Sequence, residues 1–197
     1  CPGLAMGVIA AAEAMRLCSE KTDGLEDLLA IVETNNCFAD GIQFVTGCSF
    51  GNNGLIFKDL GKIAVTLVSR NGNGYRLVVK NDAKQHIRKT YEDFSDSYNK
   101  VVKQQSRSNE DIQSFKLSGY KKAVAMMKID ASEVFSITTV KNIDTPPYAP
   151  SHESIICDRC GEETMASRTI VSFSEKLCIS CSDSKYYQLD GDGISNM

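Results

Sequence analysis

Four cysteines near the end of the chain constrain its fold more than any other feature. Residues 157 to 181 read CDRCGEETMASRTIVSFSEKLCISC, so Cys157 and Cys160 form one Cys-x2-Cys pair and Cys178 and Cys181 form a second. Two thiolates three positions apart on a tight turn span one edge of a metal tetrahedron. A returning hairpin brings the second pair to the opposite edge. Gly161, directly after the second cysteine, suits that turn. Four thiolates fill the coordination sphere of a zinc ion, so the site is expected to be structural rather than catalytic. A tail of about fifty residues cannot build an adequate core alone, and the metal would supply the missing stability. TPPYAP, residues 145 to 150, reads as a stiff linker ahead of it. The expected division is a core domain over 1–144, then linker and zinc finger over 145–197.

Charge and composition narrow the function. The chain has 197 residues, 42% of them hydrophobic, enough for one core domain and a small appendage. A net charge of -3 offers no basic field for nucleic acid. Residues 151 to 197 hold four Lys/Arg against eight Asp/Glu, a net of -4, so the zinc segment is a poor phosphate binder and reads as a docking or dimerisation module. No run of 18 apolar residues exists, so no membrane partner is expected. Eight unevenly spaced cysteines and no visible secretory signal favour reduced thiols in a cytoplasmic protein, as metal ligands or reactive groups. The sequence opens at Cys1 without a methionine, and further residues upstream are expected. The terminal DGDGISN puts Asp190 and Asp192 at calcium-loop spacing without the distal glutamate, and is expected to be a flexible tail.

Periodicity predicts the elements. Residues 2 to 20 read as a helix with Pro2 in its first turn and Leu4, Val8, Ala11, Met15 and Cys18 as its buried stripe. Gly3, Ala5, Gly7 and the alanines at 10 to 12 would let another backbone pack close. LLAIVET, 28 to 34, predicts a buried strand, and DGIQFVTG, 40 to 47, a short helix. Residues 61 to 69 alternate, with Ile63, Val65 and Leu67 on one face. NGNG, 71 to 74, predicts a hairpin turn into the strand YRLVVK, 75 to 80. Helical spacing follows at Ile87, Tyr91, Phe94, Tyr98, Val101 and Val102, with a second helix near 110 to 128 and a strand at 134 to 142. The pattern predicts an α+β fold: a mixed or antiparallel sheet of at least three strands packed with helices, followed by a small zinc-ribbon-like domain.

Three further thiols stand at element ends. Cys1 precedes a helix whose dipole would favour a thiolate. Cys37 follows an apolar strand, where crevice side chains emerge. Cys48 lies in VTGCSFGNNGLIFKDLGK, 45 to 62, a glycine-bounded loop expected to be flexible and to turn its thiol toward a cleft. Cys18 reads as a small buried hydrophobe. Lys58 and Lys62 would bind an anionic substrate or keep a thiolate charged, and Asp40 and Gln43 would orient a ligand. The plainer readings are buried thiols, solvated lysines and helix capping. His86 and His152 read as surface residues.

Taken together these segments resemble the formylmethanofuran dehydrogenase E-subunit family. Cys1-Pro2-Gly3 matches that family's Cys-Pro-Gly, which there follows a histidine two positions before the cysteine. Val32, Glu33, Thr34 and Cys37 match a Val-Glu-Thr-x-x-Cys segment. Asp40, Ile42 and Gln43 match Asp-x-Ile-Gln, and Thr46 to Gly51 match Thr-Gly-Cys-Thr-Phe-Gly with Ser49 for the second threonine. Leu55 to Asp59, Gly61 and Lys62 match Leu-Ile-Phe-Lys-Asp-x-Gly-Lys. Some members also end in a four-cysteine zinc finger. The resemblance implies an α+β core, an intertwined homodimer and a metal-binding active site in a cysteine-lined cleft. It implies a second metal beside the structural zinc, with Cys1, Cys37, Cys48 and Lys58 as candidate catalytic residues and Asp40, Gln43 and Asp59 as cleft-binding ones. It also implies an accessory or enzyme-like component linked to molybdenum or tungsten oxidoreductase metabolism, with oxidoreductase subunits as partners. The alternative is a non-enzymatic docking module whose only metal is the structural zinc.

Overall fold

Strand β1 (Leu28–Val32) is buried along its whole length. Its sequence, LLAIV, does not alternate, as expected of a strand covered on both faces. It pairs in parallel with β2 (Leu55–Phe57) and antiparallel with β3 (Ala64–Ser69). β4 (Gly74–Val79) and β5 (Phe135–Val140) extend the sheet to the order β2-β1-β3-β4-β5. The sheet is therefore mixed, with one parallel pair at its edge. The computed structural model describes residues 1–18 and 27–197. They form two compact units, Cys1–Pro146 and Pro147–Met197.

In the first unit, α1 (Pro2–Cys18) packs on the sheet and on α2 (Cys37–Thr46). The two expected helical residues beyond Cys18 lie outside the described residues. The buried face of α1 differs from the expected stripe. Ala5, Ile9, Ala10, Ala11 and Ala14 are buried, whereas Leu4 is 39% exposed. Small residues face inward because α2 approaches backbone to backbone. A Cβ at Gly7 would stand 2.1 Å from the Phe38 carbonyl oxygen, and one at Gly41 would stand 2.3 Å from the Leu4 carbonyl oxygen. Beneath them the Phe38 and Phe135 rings meet at 6.5 Å, among Ile42, Leu67 and Leu77.

The predicted hairpin joins β3 to β4, with Gly72 at φ +77 and its N–H donated to the Ser69 carbonyl at 2.9 Å. After β4 come α3 (Asn81–Thr90), α4 (Glu92–Tyr98), a π-helical turn at Asn99–Lys103, α5 (Asn109–Met126) and α6 (Ala131–Val134). The Ser108 hydroxyl caps α5 by accepting the Asp111 N–H. No helix among the described residues is long and apolar enough to cross a membrane.

The second unit consists of three two-stranded ribbons: β6 (Ser154–Ile156) with β7 (Glu163–Met165), β8 (Thr169–Ser172) with β9 (Glu175–Cys178), and β10 (Tyr187–Asp190) with β11 (Gly193–Asn196). The expected flexible tail is thus a hairpin. Asp190 accepts the Asp192 N–H at 2.9 Å, so one of the two carboxylates at calcium-loop spacing closes the turn.

Candidate functional site

Cys37 is the first residue of α2, which begins three positions before the expected start. The reason is Asn36, whose side chain accepts the Phe38 N–H at 2.9 Å and caps the helix. An asparagine directly before a helix is a sequence signal that would have found this boundary. Gly47 ends α2 in the left-handed region at φ +71.

Cys1 stands directly before α1, and its carbonyl accepts the Ala5 N–H at 3.1 Å. The two helices then meet in matching order, Gly3 against Cys37 and Gly7 against Phe38 and Gly41. A methyl placed on Gly3 would lie 3.3 Å from Cys37 Cβ and 3.8 Å from Cys1 Sγ. The two exposed cysteines therefore flank one point, at the positive ends of two helices. The parallel strands deliver further groups to the same end of the sheet. β1 runs on toward Cys37, and past β2 the Lys58 N–H bonds the Val32 carbonyl at 2.9 Å. Lys58 and Asp59 are exposed there. Asp40 is exposed in the first turn of α2, and Gln43 is half-buried one turn on.

Cys48 stands apart within the chain. It follows the other end of α2, a helix length of about 15 Å from Cys37. It is 3% exposed, and its thiol lies 3.6 Å from the Leu28 carbonyl, which it faces as a donor. Burial pushes this thiol's pKa up, partly offset by Thr46 and Ala30. The loop expected to be flexible is pinned. Asn52 accepts the Ser49 N–H at 2.8 Å and donates to the Gly47 carbonyl at 2.7 Å. In the native protein, iodoacetamide is expected to modify Cys1 and Cys37 readily and Cys48 at least about tenfold more slowly. Peptide mapping by mass spectrometry checks this, and equal rates would contradict the burial.

Glu33, in the segment just before Cys37, is 5% exposed and accepts two bonds from Arg76, at 2.7 and 2.8 Å. Arg76 holds its carboxyl below the ordinary value, against the opposing effect of burial, and Lys62 and Lys58 add to the lowering. The pair ties the end of β1, where the chain turns toward Cys37, to β4. Arg76→Leu is expected to cost about 3 kcal/mol, measured by urea unfolding, because it leaves a buried carboxylate unpaired. A depressed carboxyl stabilises above its unfolded value of roughly 4.3 and loses that contribution as pH falls through the lower folded value. Glu33→Gln is expected to remove this part of the acid dependence.

In the second unit the sulfurs of Cys157, Cys160, Cys178 and Cys181 all lie within 4.8 Å of one another. A tetrahedron with ~2.3 Å metal–sulfur bonds has edges of roughly 3.8 Å, so these four could close around one ion. Gly161, at φ +75, donates its N–H to the Cys157 carbonyl at 2.9 Å and turns the first knuckle. The Cys178 N–H points at Cys157 Sγ, 3.3 Å away. As thiols the four are unequal. The N–H groups of Cys160 and Cys178 lower Cys157 to about 6, whereas Cys181 is pushed up to about 12, first by Cys178. Arg159 bonds the Cys181 carbonyl and pairs with Glu175 at 3.9 Å, fastening the two knuckles.

Fold and sites together define an α+β protein with two exposed cysteines at joined helix ends, followed by a separate four-cysteine unit. The chain belongs to the FmdE family, described as molybdenum formylmethanofuran dehydrogenase operon, whose model matches residues 1–136. A protein of Archaeoglobus fulgidus named a probable S-adenosyl-L-methionine-binding protein is 36% identical over 200 residues. The match covers 98% of this chain and 52% of that protein, so the chain spans about half the length of this relative. The crystal structure of a tungsten formylmethanofuran dehydrogenase FmdE-like protein from Syntrophus aciditrophicus is similar with a TM-score of 0.54 and 22% identity, over 92% of this chain and 83% of that one. That similarity is one of fold.

Proposed function

We propose that this chain is a cytoplasmic, homodimeric metal-carrying protein that works with a molybdenum- or tungsten-dependent oxidoreductase. The observation that carries the reading is the pair Cys1 and Cys37, flanking one point at the joined positive ends of α1 and α2. Two thiolates there would hold a soft or borderline metal ion, or one would act as a nucleophile beside it. Lys58 would attract an anionic substrate to the same edge of the sheet, with Asp40, Gln43 and Asp59 orienting it. Cys48 would anchor the loop after α2 rather than meet the substrate. Zinc in the four-cysteine unit would be structural, since its four thiolates leave no open position.

Elemental analysis tests the reading. About two metal ions per chain are expected, falling to about one in Cys37→Ser and, separately, in Cys178→Ser. About one zinc in both the native chain and Cys37→Ser would overturn it. Titration with S-adenosyl-L-methionine belongs beside this measurement, because the Archaeoglobus relative bears that name. Binding lost in Cys37→Ser would assign that ligand to the helix ends.

A second reading has its own support. The four-cysteine unit exposes Val171 at 70%, Phe173 at 102% and Tyr187 at 78%, large apolar side chains suited to docking a partner. A docking module whose only metal is zinc would keep one metal per chain and lose partner binding in Phe173→Asp.

A further inference from the structure

Lys122, on α5, is only 7% exposed. Among the described residues its ammonium has no carboxylate within salt-bridge distance and no hydrogen-bond partner. Its neighbours are rings, with Phe94 at 4.8 Å and Tyr91 at 5.8 Å from the nitrogen. Rings attract a cation but neutralise none of its charge, and the nitrogen, which is not sealed from solvent, stays open to an anion. Burial first, and then the Arg88 charge, lowers the pKa of Lys122.

On one side of Lys122 the surroundings have the same sign. Lys122 lines a groove of about 490 Å³ with Arg88 and Lys103, and no carboxylate contributes to its wall. Phe94, Tyr98 and Asn99 lie along the same groove. Lys122 and Phe94 also line the neighbouring cavity, where the carboxylates of Glu92, Asp93, Asp96 and Asp111 stand among Lys89, Lys100 and Lys121. There Asp111 is engaged by Ser106 at 2.6 Å, Ser108 at 2.8 Å and Lys100 at 3.7 Å. Asn99 and Lys103 bound the π-helical turn, a widened backbone that recurs at functional sites. Phe94 is held in place by stacking on Phe115 at 5.6 Å.

We propose that this groove binds a small organic dianion, with Arg88, Lys103 and Lys122 taking its charge and its carbon skeleton lying against Phe94 and Tyr98. A phosphate ester and a polycarboxylate share that chemistry. The site has no residue in common with the cysteine pair and stands whether or not the metal reading holds.

Calorimetric titration of the full chain with glycerol 3-phosphate and, separately, succinate tests it. Saturable binding of one of them, weakened by added salt, is expected, and the probe that binds names the source. Arg88→Gln/Lys103→Gln changes two exposed side chains and should leave the circular dichroism spectrum unchanged, while weakening binding by about tenfold or more. Lys122→Met should abolish binding, and if that variant fails to fold the double variant carries the test. No saturable binding of either probe, or undiminished binding in the double variant, would overturn the proposal.

Discussion

Gly41→Ala is expected to prevent the first unit from reaching its native packing. The added methyl would stand 2.3 Å from the Leu4 carbonyl oxygen and 2.7 Å from the Val8 nitrogen. Both are backbone atoms of a helix and cannot swing aside as a side chain would. The helices must separate, and with them the buried contacts of Phe38 and Ile42 with the sheet. A loss of about 3 kcal/mol or more is expected in urea unfolding, at the upper end for overpacking. Gly7→Ala should act alike, from a methyl 2.1 Å from the Phe38 carbonyl oxygen. Gly3→Ala is the control, because its nearest neighbour is a side-chain carbon at 3.3 Å. Gly41→Ala unfolding within about 1 kcal/mol of the native chain would mean that α1 and α2 do not pack backbone to backbone.

Withdrawing metal is expected to unfold Pro147–Met197 and leave Cys1–Pro146 intact. Among the described residues of the second unit, Leu177 and Cys157 are the buried apolar side chains, far too little core for its short ribbons. Structural zinc in small domains contributes about 10–16 kcal/mol of apparent binding energy, which is also their folding energy. A strong chelator, or Cys178→Ser, should make the second unit protease-sensitive while the first resists digestion. A second unit that stays resistant after chelation would contradict the assignment.

Much of this was legible in the chain. The four cysteines carry their own geometry, because ligand spacing is local. The NGNG turn and the strands beside it are equally local. Legibility failed where tertiary contact decides. The expected stripe on α1 assumed that large apolar residues face inward, but α2 comes so close that alanines and glycines take that face. The glycines and asparagines around Cys48 suggest mobility, yet the Asn52 side chain fixes that loop. Glu33 and Arg76 are 43 residues apart, and no periodicity joins them. In sequence Lys122 is one of many helix charges, since burial of a lysine depends on the helices around it.

Cobalt(II) substitution followed by optical spectroscopy tests the central claim, that Cys1 and Cys37 form one metal-carrying site, most directly. The predicted result is two saturating phases per chain. A four-thiolate spectrum is lost in Cys178→Ser, and a second with weaker thiolate-to-metal bands is lost in either Cys1→Ser or Cys37→Ser. A single phase that is unchanged by both N-terminal substitutions would contradict the account and leave the four-cysteine unit as the protein's metal site.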